Sequence, residues 1–334
     1  MGASDRAAGE RRDGSARTRG FAAVLAVALA LAAPSAHAAP RGAKPPPGPA
    51  PLAPVLGVPS SDIVEPEDTL LDVAVRHRLG FDSVARLNPD VNVWIPDPGT
   101  VVRLPTQFIL PDGARRGLVI NVPEMRLYDF TPGHQPETFA IAIGDEIDPS
   151  LLGEFRVGAK RTNPAWYVPA AIRAKKPELP AVVPPGEENP LGDRWMTIGN
   201  TSYGIHGTNN AWSIGRQATH GCIRMYNDEV IRLYDRVPTG TPVRLMYQTV
   251  KLGLLGSAIY VEAHLDVYGK VPDPKGDALR RLEELGIAHF VDTRALFHAI
   301  DEAKGVPVRV GTWPDAPGAP LSAQEAAPTY GSAS

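Results

Sequence analysis

Apolar positions change their spacing several times along this chain, and each change marks a boundary. The first feature is an unbroken apolar run of thirteen residues at 21–33, preceded by Arg11, Arg12, Arg17 and Arg19 and followed by Ala36-His37-Ala38. It is shorter than the roughly 20 residues a spanning helix needs, and the small residues at 36 and 38 suit a signal peptidase. Residues 1–38 therefore read as a secretory signal cut after Ala38, which leaves an exported protein without a transmembrane anchor. Residues 39–60 lose all periodicity and are rich in Pro, Ala and Gly, including Pro45-Pro46-Pro47, the composition of a stiff, unpacked linker.

Helical spacing takes over at 61–106. A short strand signal leads to Asp68-Thr69, a cap for a helix bearing Leu70, Leu71, Val73, Ala74 and Val75. A second helix carries Phe81, Val84, Ala85 and Leu87 and stops at Asn88-Pro89, and the turn Pro98-Gly99 opens a strand at 100–104. From 115 to 247 the period becomes that of strands. Segments 117–122 and 125–130 flank Pro123-Glu124 as a hairpin, and 138–143 and 154–159 continue the pattern. The proline-rich stretch 162–192 is too long for an ordinary connection and predicts a flap beside a binding site.

Asn227 opens a helix with Asp228 and Glu229 in its first turn and Val230, Tyr234 and Val237 on one face, closed by Pro238 and Gly240. A strand follows at 242–247. Residues 248–315 offer one strand, at 258–262, and helices at 277–285 and 293–303, while 316–334 has the composition of a disordered tail. Trp166, Tyr167 and Trp212 are expected to pack rather than to face substrate.

Charge and cysteine content narrow the function. With 34 basic against 37 acidic residues the net charge is -3, which removes the electrostatic basis for a nucleic-acid partner or an anionic membrane surface. One cysteine in an exported chain has no intrachain partner, so Cys222 is a buried bystander, an intermolecular link or a reactive thiol. Its neighbours decide. The segment 203–225, YGIHGTNNAWSIGRQATHGCIRM, places His206 and His220 beside it, and a cysteine nucleophile needs a base or cation to form thiolate. Gly207 and Gly221 allow the close backbone approach that an oxyanion-stabilising site requires. The same three side chains could instead be zinc ligands with an open fourth position, but the further Cys or His that closes most such sites is missing.

Segment 203–225 resembles the signature of the L,D-transpeptidase family, the YkuD domain, in which His-Gly precedes Ser/Thr-His-Gly-Cys by a little under twenty residues. Its Ile-His-Gly-Thr-Asn-Asn and Ile-Arg forms are similar to the periplasmic subgroup of Gram-negative bacteria. Residues 61–106 likewise resemble a LysM domain, a module that binds N-acetylglucosamine-containing glycans. The fold implied is a mostly β catalytic domain of the L,D-transpeptidase/YkuD β-sandwich type at 115–247, with a small βααβ LysM-like domain before it and an α+β C-terminal extension after it. The LysM-like domain is expected to stand apart from the chemical site.

By the same resemblance Cys222 is the nucleophile with an activated thiolate, His206 the base, oriented by the Gly207 carbonyl, and His220 a supporting residue. Thr219, Gly221 and Arg224 line the substrate, Arg224 facing a stem-peptide carboxylate. The partners implied are peptidoglycan stem peptides and glycan strands in the periplasm, with no cofactor and no metal. Cys222 would attack the diaminopimelate–D-alanine bond of a tetrapeptide stem, and the thioester would pass to a diaminopimelate amine, giving a 3-3 cross-link, or to a lysine of a cell-envelope protein. Transfer to water would make a carboxypeptidase or amidase of the same fold, and a dead cysteine a non-catalytic peptidoglycan-binding protein.

A sole reactive thiol predicts a simple labelling result. A thiol-directed electrophile or a carbapenem should add once to the native protein, read as one adduct by intact-mass spectrometry and none in Cys222→Ser. Labelling of the denatured protein alone would mean a sealed thiol.

Overall fold

The structure, a computed structural model, describes residues 52–314 and 316. The predicted signal sequence, most of the linker and all of the tail except Ala316 lie outside them.

Strand β1 (Ala53–Leu56) comes first, then β2 (Ser60–Ile63), α1 (Leu70–Arg76), α2 (Phe81–Leu87) and β3 (Val101–Leu104). The spacing predicted the βααβ order, and local chemistry explains it. Thr69 and Asp72 form a reciprocal capping box at the start of α1, and the two helices bury Leu70, Val73, Ala74, Phe81 and Val84 against Val102 and Leu104 of the β2–β3 pair. β1 corrects one expectation, since residues 53–56 belong to the stretch read as unpacked linker. Its alternating pattern APVL, with Ala53 and Val55 buried, outweighs the proline-rich context.

The module does not stand apart. Phe81 N–H donates to the Ile214 carbonyl at 3.0 Å, Tyr226 Oη donates to the Leu79 carbonyl at 2.8 Å, and Arg78 Nε meets Asp228 at 3.0 Å. The helix pair is therefore stitched to the larger domain by two bonds that use its backbone, at Leu79 and Phe81, and by one side-chain ion pair.

The larger domain is mostly β, as expected. After β4 (Phe108–Ile109) come β5 (Gly117–Asn121), β6 (Arg126–Phe130), β7 (Glu137–Gly144), β8 (Gly153–Thr162), β9 (Trp166–Tyr167), α3 (Ala170–Lys175) and β10 (Val182–Val183). They are followed by β11 (Arg194–Ile198), β12 (Gly204–His206), β13 (Gln217–Thr219), β14 (Ile223–Met225), α4 (Asn227–Arg236) and β15 (Pro242–Met246). Nine strands form one sheet in the order β13-β7-β14-β12-β11-β8-β15-β5-β6, and β6 pairs again with β7. The hydrogen bonding thus closes into a ring rather than two separate layers of a sandwich. Length is the cause: β7 outruns its partner, pairing with β6 over 137–140 and with β14 over 141–142. Leu118, Ile120, Ile141, Ile143, Met196 and Ile205 fill the interior together with Val230 and Leu233 of α4 and with Val237 just after it. Tyr234, expected on that face, is only partly buried: Lys160 Nζ lies 4.0 Å from its ring centroid and Arg194 5.3 Å.

The C-terminal part contains more strand than the sequence suggested: β16 (Val250–Leu255), β17 (Ala258–Ala263), α5 (Pro274–Glu284), α6 (Thr293–Glu302) and β18 (Val308–Thr312). Its sheet runs β18-β17-β16-β1-β4, so two N-terminal strands complete it. A buried ion cluster lies where this sheet meets the ring. Lys251 Nζ contacts Glu124 at 2.9 Å and Glu262 at 2.8 Å and donates to the Ile109 carbonyl at 2.7 Å.

Removing one partner of such a cluster leaves the others charged and dry. Lys251→Met is expected to lower unfolding stability by about 3–5 kcal/mol, and adding Glu124→Gln and Glu262→Gln to recover part of that loss. Urea unfolding followed by circular dichroism measures both, and an unchanged midpoint for Lys251→Met would show that the cluster contributes nothing net.

Candidate active site

Three short strands build the site. β12 lies parallel to β14 with Ile205 opposite Ile223 and His206 opposite Arg224, and antiparallel to β11 with His206 opposite Trp195. The buried isoleucines anchor this register in the core, which leaves His206 and Arg224 on the other face. Gly204 is needed there because a Cβ would collide with the Trp195 indole, which stacks on the His206 imidazole at 5.5 Å and 18°.

The imidazole is oriented from its own backbone. His206 Nδ1 lies 2.6 Å from the Gly207 carbonyl, an acceptor only, so Nδ1 carries the proton and Nε2 is left with a lone pair. Burial, helped by the positive charge of Arg224, pulls this imidazole from 6.5 down to about 3, against the hydrogen bonds of the Gly207 and Leu191 backbone. His206 is therefore neutral across the ordinary pH range.

Cys222 sits just before β14 at the end of the turn Thr219-His220-Gly221-Cys222. Thr219 Oγ1, buried, donates to the Cys222 carbonyl at 2.7 Å and closes the turn. Gly221 holds φ +94°, and a side chain there would strike the Tyr203 ring. The expected activated thiolate is not what this environment gives. Burial pushes the Cys222 thiol up, and the Gly204 backbone and the Arg224 charge only partly oppose it. A neutral thiol beside a neutral imidazole is the resting state of these surroundings.

His220, the nearer histidine in sequence, turns away from this core. Its Nδ1 meets Asp148 Oδ2 at 2.8 Å, and both side chains are nearly half exposed. Arg224 is mostly buried, its Nε without a hydrogen-bond partner, a cationic group held ready for an acceptor. The zinc alternative gains no geometry: among the described residues the trio of His, Cys, Asp or Glu atoms that converges is Glu124, Glu262 and His264, where the Lys251 ammonium already sits.

Cys222, His206, His220, Thr219 and Arg224 all line one cleft of 770 Å³. The far wall is the predicted flap, including Trp166, Ile172 and Leu179, and its ends are tied by buried Asn189, whose Nδ2 donates to the carbonyls of Pro164 and Pro184. Trp212 and Tyr167, expected to pack, are 58% and 71% exposed.

Several residues that shape the site escaped the sequence reading. Asp148 lies on the 145–152 loop, held by Asp145 Oδ1, which accepts from the N–H groups of Ile147 and Asp148. Tyr268, from the C-terminal part, donates to the Gly144 carbonyl at 2.7 Å and accepts from Ser150 N–H at 3.2 Å, which fixes the same loop. The Asp-x-x-Asp-Pro-Ser run was a readable turn signal; nothing local pointed to Tyr268 or to Trp195.

The chain is similar to known proteins. Residues 115–245 match the family model described as the L,D-transpeptidase catalytic domain, YkuD. The chain is 33% identical to "Probable L,D-transpeptidase YcfS" of Escherichia coli K12 over 71% of its own length and 79% of the relative's. It is also 33% identical to "Probable L,D-transpeptidase ErfK/SrfK" of Salmonella typhimurium LT2, over 77% of its own length and 87% of that protein's. Among solved structures, the L,D-transpeptidase from Mycobacterium smegmatis aligns over 59% of this chain and 95% of its own, at 16% identity and a TM-score of 0.33. With that identity sustained over most of the length of the Gram-negative relatives, this chain belongs to the L,D-transpeptidase family.

Proposed function

We propose that this peptidoglycan L,D-transpeptidase uses Cys222 as nucleophile and His206 as general base. The observation that carries the reading is the pairing of β12 with β14, which brings His206 beside the strand that Cys222 introduces, in one cleft with the unpartnered Arg224. With Nδ1 bound to the Gly207 carbonyl, the lone pair of Nε2 is free to accept the thiol proton. The sulfur attacks the diaminopimelate carbonyl, the backbone N–H groups of the tight turn at Gly221 and Cys222 receive the oxyanion, and the proton passes to the departing D-alanine amine. An amine acceptor, from a second diaminopimelate or a protein lysine, then resolves the thioester. Arg224 orients the donor through a carboxylate. His220, held by Asp148, supports the turn from the solvent side.

The remaining modules fit an envelope enzyme. The βααβ unit at 61–106 is read as a LysM-like glycan-binding domain, the segment at 248–315 as the C-terminal extension that buttresses the catalytic domain at 115–247, and residues 1–38 as the export signal that delivers the chain to the periplasm. None of the helices among the described residues is long and apolar enough to cross a membrane.

Two outcomes test the assignment. His206→Ala should slow acylation by a tetrapeptide muropeptide by about 10²–10⁴-fold, and His220→Ala by clearly less, as read by mass spectrometry of quenched reactions. A larger loss in His220→Ala would exchange their roles. The pH profile gives an independent reading. His206 remains unprotonated down to about pH 3 and the thiol is held above its usual value, so the proton moves only as attack begins. Acylation should run level over roughly pH 5–8. An inflection near 6.5, where an ordinary imidazole titrates, would show that the base is not in the buried state described.

A further inference from the structure

The catalytic cleft adjoins a second depression, a groove of 600 Å³ between the small N-terminal module and the ring. Ala218 of β13 and Arg224 of β14 line both, so the two spaces share a wall. The volume lies within the roughly 300–1,000 Å³ usual for small-ligand clefts.

Two indoles stand on its walls, one from each module. Trp94, on the loop between α2 and β3, is 59% exposed, and Trp212, in the turn ahead of β13, is 58% exposed. Trp94 is held in place. Asn92 Oδ1 accepts from the N–H groups of Trp94 and Ile95 at 3.0 Å each, which sets the loop, and the Trp94 ring rests on Phe81 at 6.1 Å and 27°. Arg216, which also lines the groove, is held over the Phe81 ring at 4.0 Å. Two half-exposed aromatic faces across one groove mark a binding site, and indoles with polar neighbours suit a flat ligand that is apolar on one face and polar at its rim.

Peptidoglycan has one component of that shape. Its stem peptide is aliphatic and charged, whereas each pyranose ring of the strand presents C–H bonds on its faces and hydroxyl and acetamido groups at its edge. We propose that the groove between Trp94 and Trp212 is a glycan subsite, which holds the sugar segment whose stem peptide occupies the catalytic cleft past Arg224. This rests on the reading of the cleft as the stem-peptide site. It makes glycan recognition a joint property of the two modules and gives Trp212, on the catalytic ring, a specificity role in it. The docking of α2 on the ring, through Phe81 and Leu79, is what holds the two walls at a fixed separation.

The test is a binding comparison on full-length Cys222→Ser, so that turnover plays no part. Isothermal titration would compare a disaccharide tetrapeptide with the same tetrapeptide lacking sugar. The glycan-bearing ligand should bind more tightly, Trp212→Ala should weaken it by about ten-fold, and the sugar-free peptide should change by less than about two-fold. Trp212→Phe should retain most of the preference. Trp94→Ala, on the opposite wall, gives the same reading if Trp212→Ala does not fold. Equal losses for both ligands would mean that the groove holds peptide or a protein acceptor, and no loss for either would mean that it holds nothing; each overturns the proposal. A preference for the glycan ligand in a protein whose unsubstituted form fails to cleave the tetrapeptide would sustain the subsite and reject the catalytic reading instead.

Discussion

A single ammonium group without access to water joins the two halves of this enzyme. Lys251 is 0% exposed and sits between Glu124, in the turn linking β5 and β6, and Glu262 of β17, while donating to the carbonyl of Ile109 in β4. Taking these charges out of water is costly, and the arrangement is tolerable only because each charge has more than one partner. Arg126 Nε lies 3.1 Å from Glu124 and His264 Nε2 lies 2.8 Å from Glu262. Burial alone would raise the Glu124 carboxyl, yet the charges of Lys251, His264 and Arg126 bring it down to about 2. A hydrophobic contact could slide along this seam. A multiply bonded ammonium cannot, so the C-terminal sheet has one position against the ring.

That position matters for the chemistry because the C-terminal part reaches the site. From the strand end at Tyr247 the phenol donates to Asp266 and accepts the Tyr268 N–H at 2.7 Å, and Tyr268 in turn fixes Gly144 and Ser150. The loop so held carries Asp148, the partner of His220. The extension is thus continuous, bond by bond, with the turn that presents Cys222. Burial and the absence of a paired anion keep the proposed base neutral, so the site holds a thiol and an imidazole rather than an ion pair before substrate arrives.

Much of this was legible in the chain where local rules act alone. The cap at Asp68-Thr69, the hairpin around Pro123-Glu124 and the stop at Pro238 produced elements within a residue or two of those observed. The motif residues also emerged, because a lone cysteine near two histidines and two glycines has few bland explanations. Strands of three residues, such as β12 and β14, are too short to show alternation, and they were missed although they carry the site. Asn227 opens α4 as the sequence indicated, but its amide is taken by Asp193, at 2.7 Å, and Tyr226 occupies the capping position. Contacts made over long sequence separations, such as those of Tyr268 and Lys251, have no local signature at all. The alignment with relatives supplies the family but is silent on these.

The place of β1 has a consequence for how the molecule assembles. Ala53 pairs with Gly253 and Pro54 with Leu254, so the first described strand lies parallel to one 200 residues later. A chain that emerges amino end first, whether from a ribosome or through a membrane, exposes β1 long before β16 exists. During that interval a short apolar strand waits without its edge partner, a state prone to pairing with other chains. The ring and the helix pair can close earlier from nearer contacts, whereas the last sheet depends on joining the two ends of the described chain, the slowest kind of contact to form. The seam around Lys251 needs Glu262 of β17, and the loop that precedes the Cys222 turn needs Tyr268, so neither can be fixed until the chain has been made past those residues.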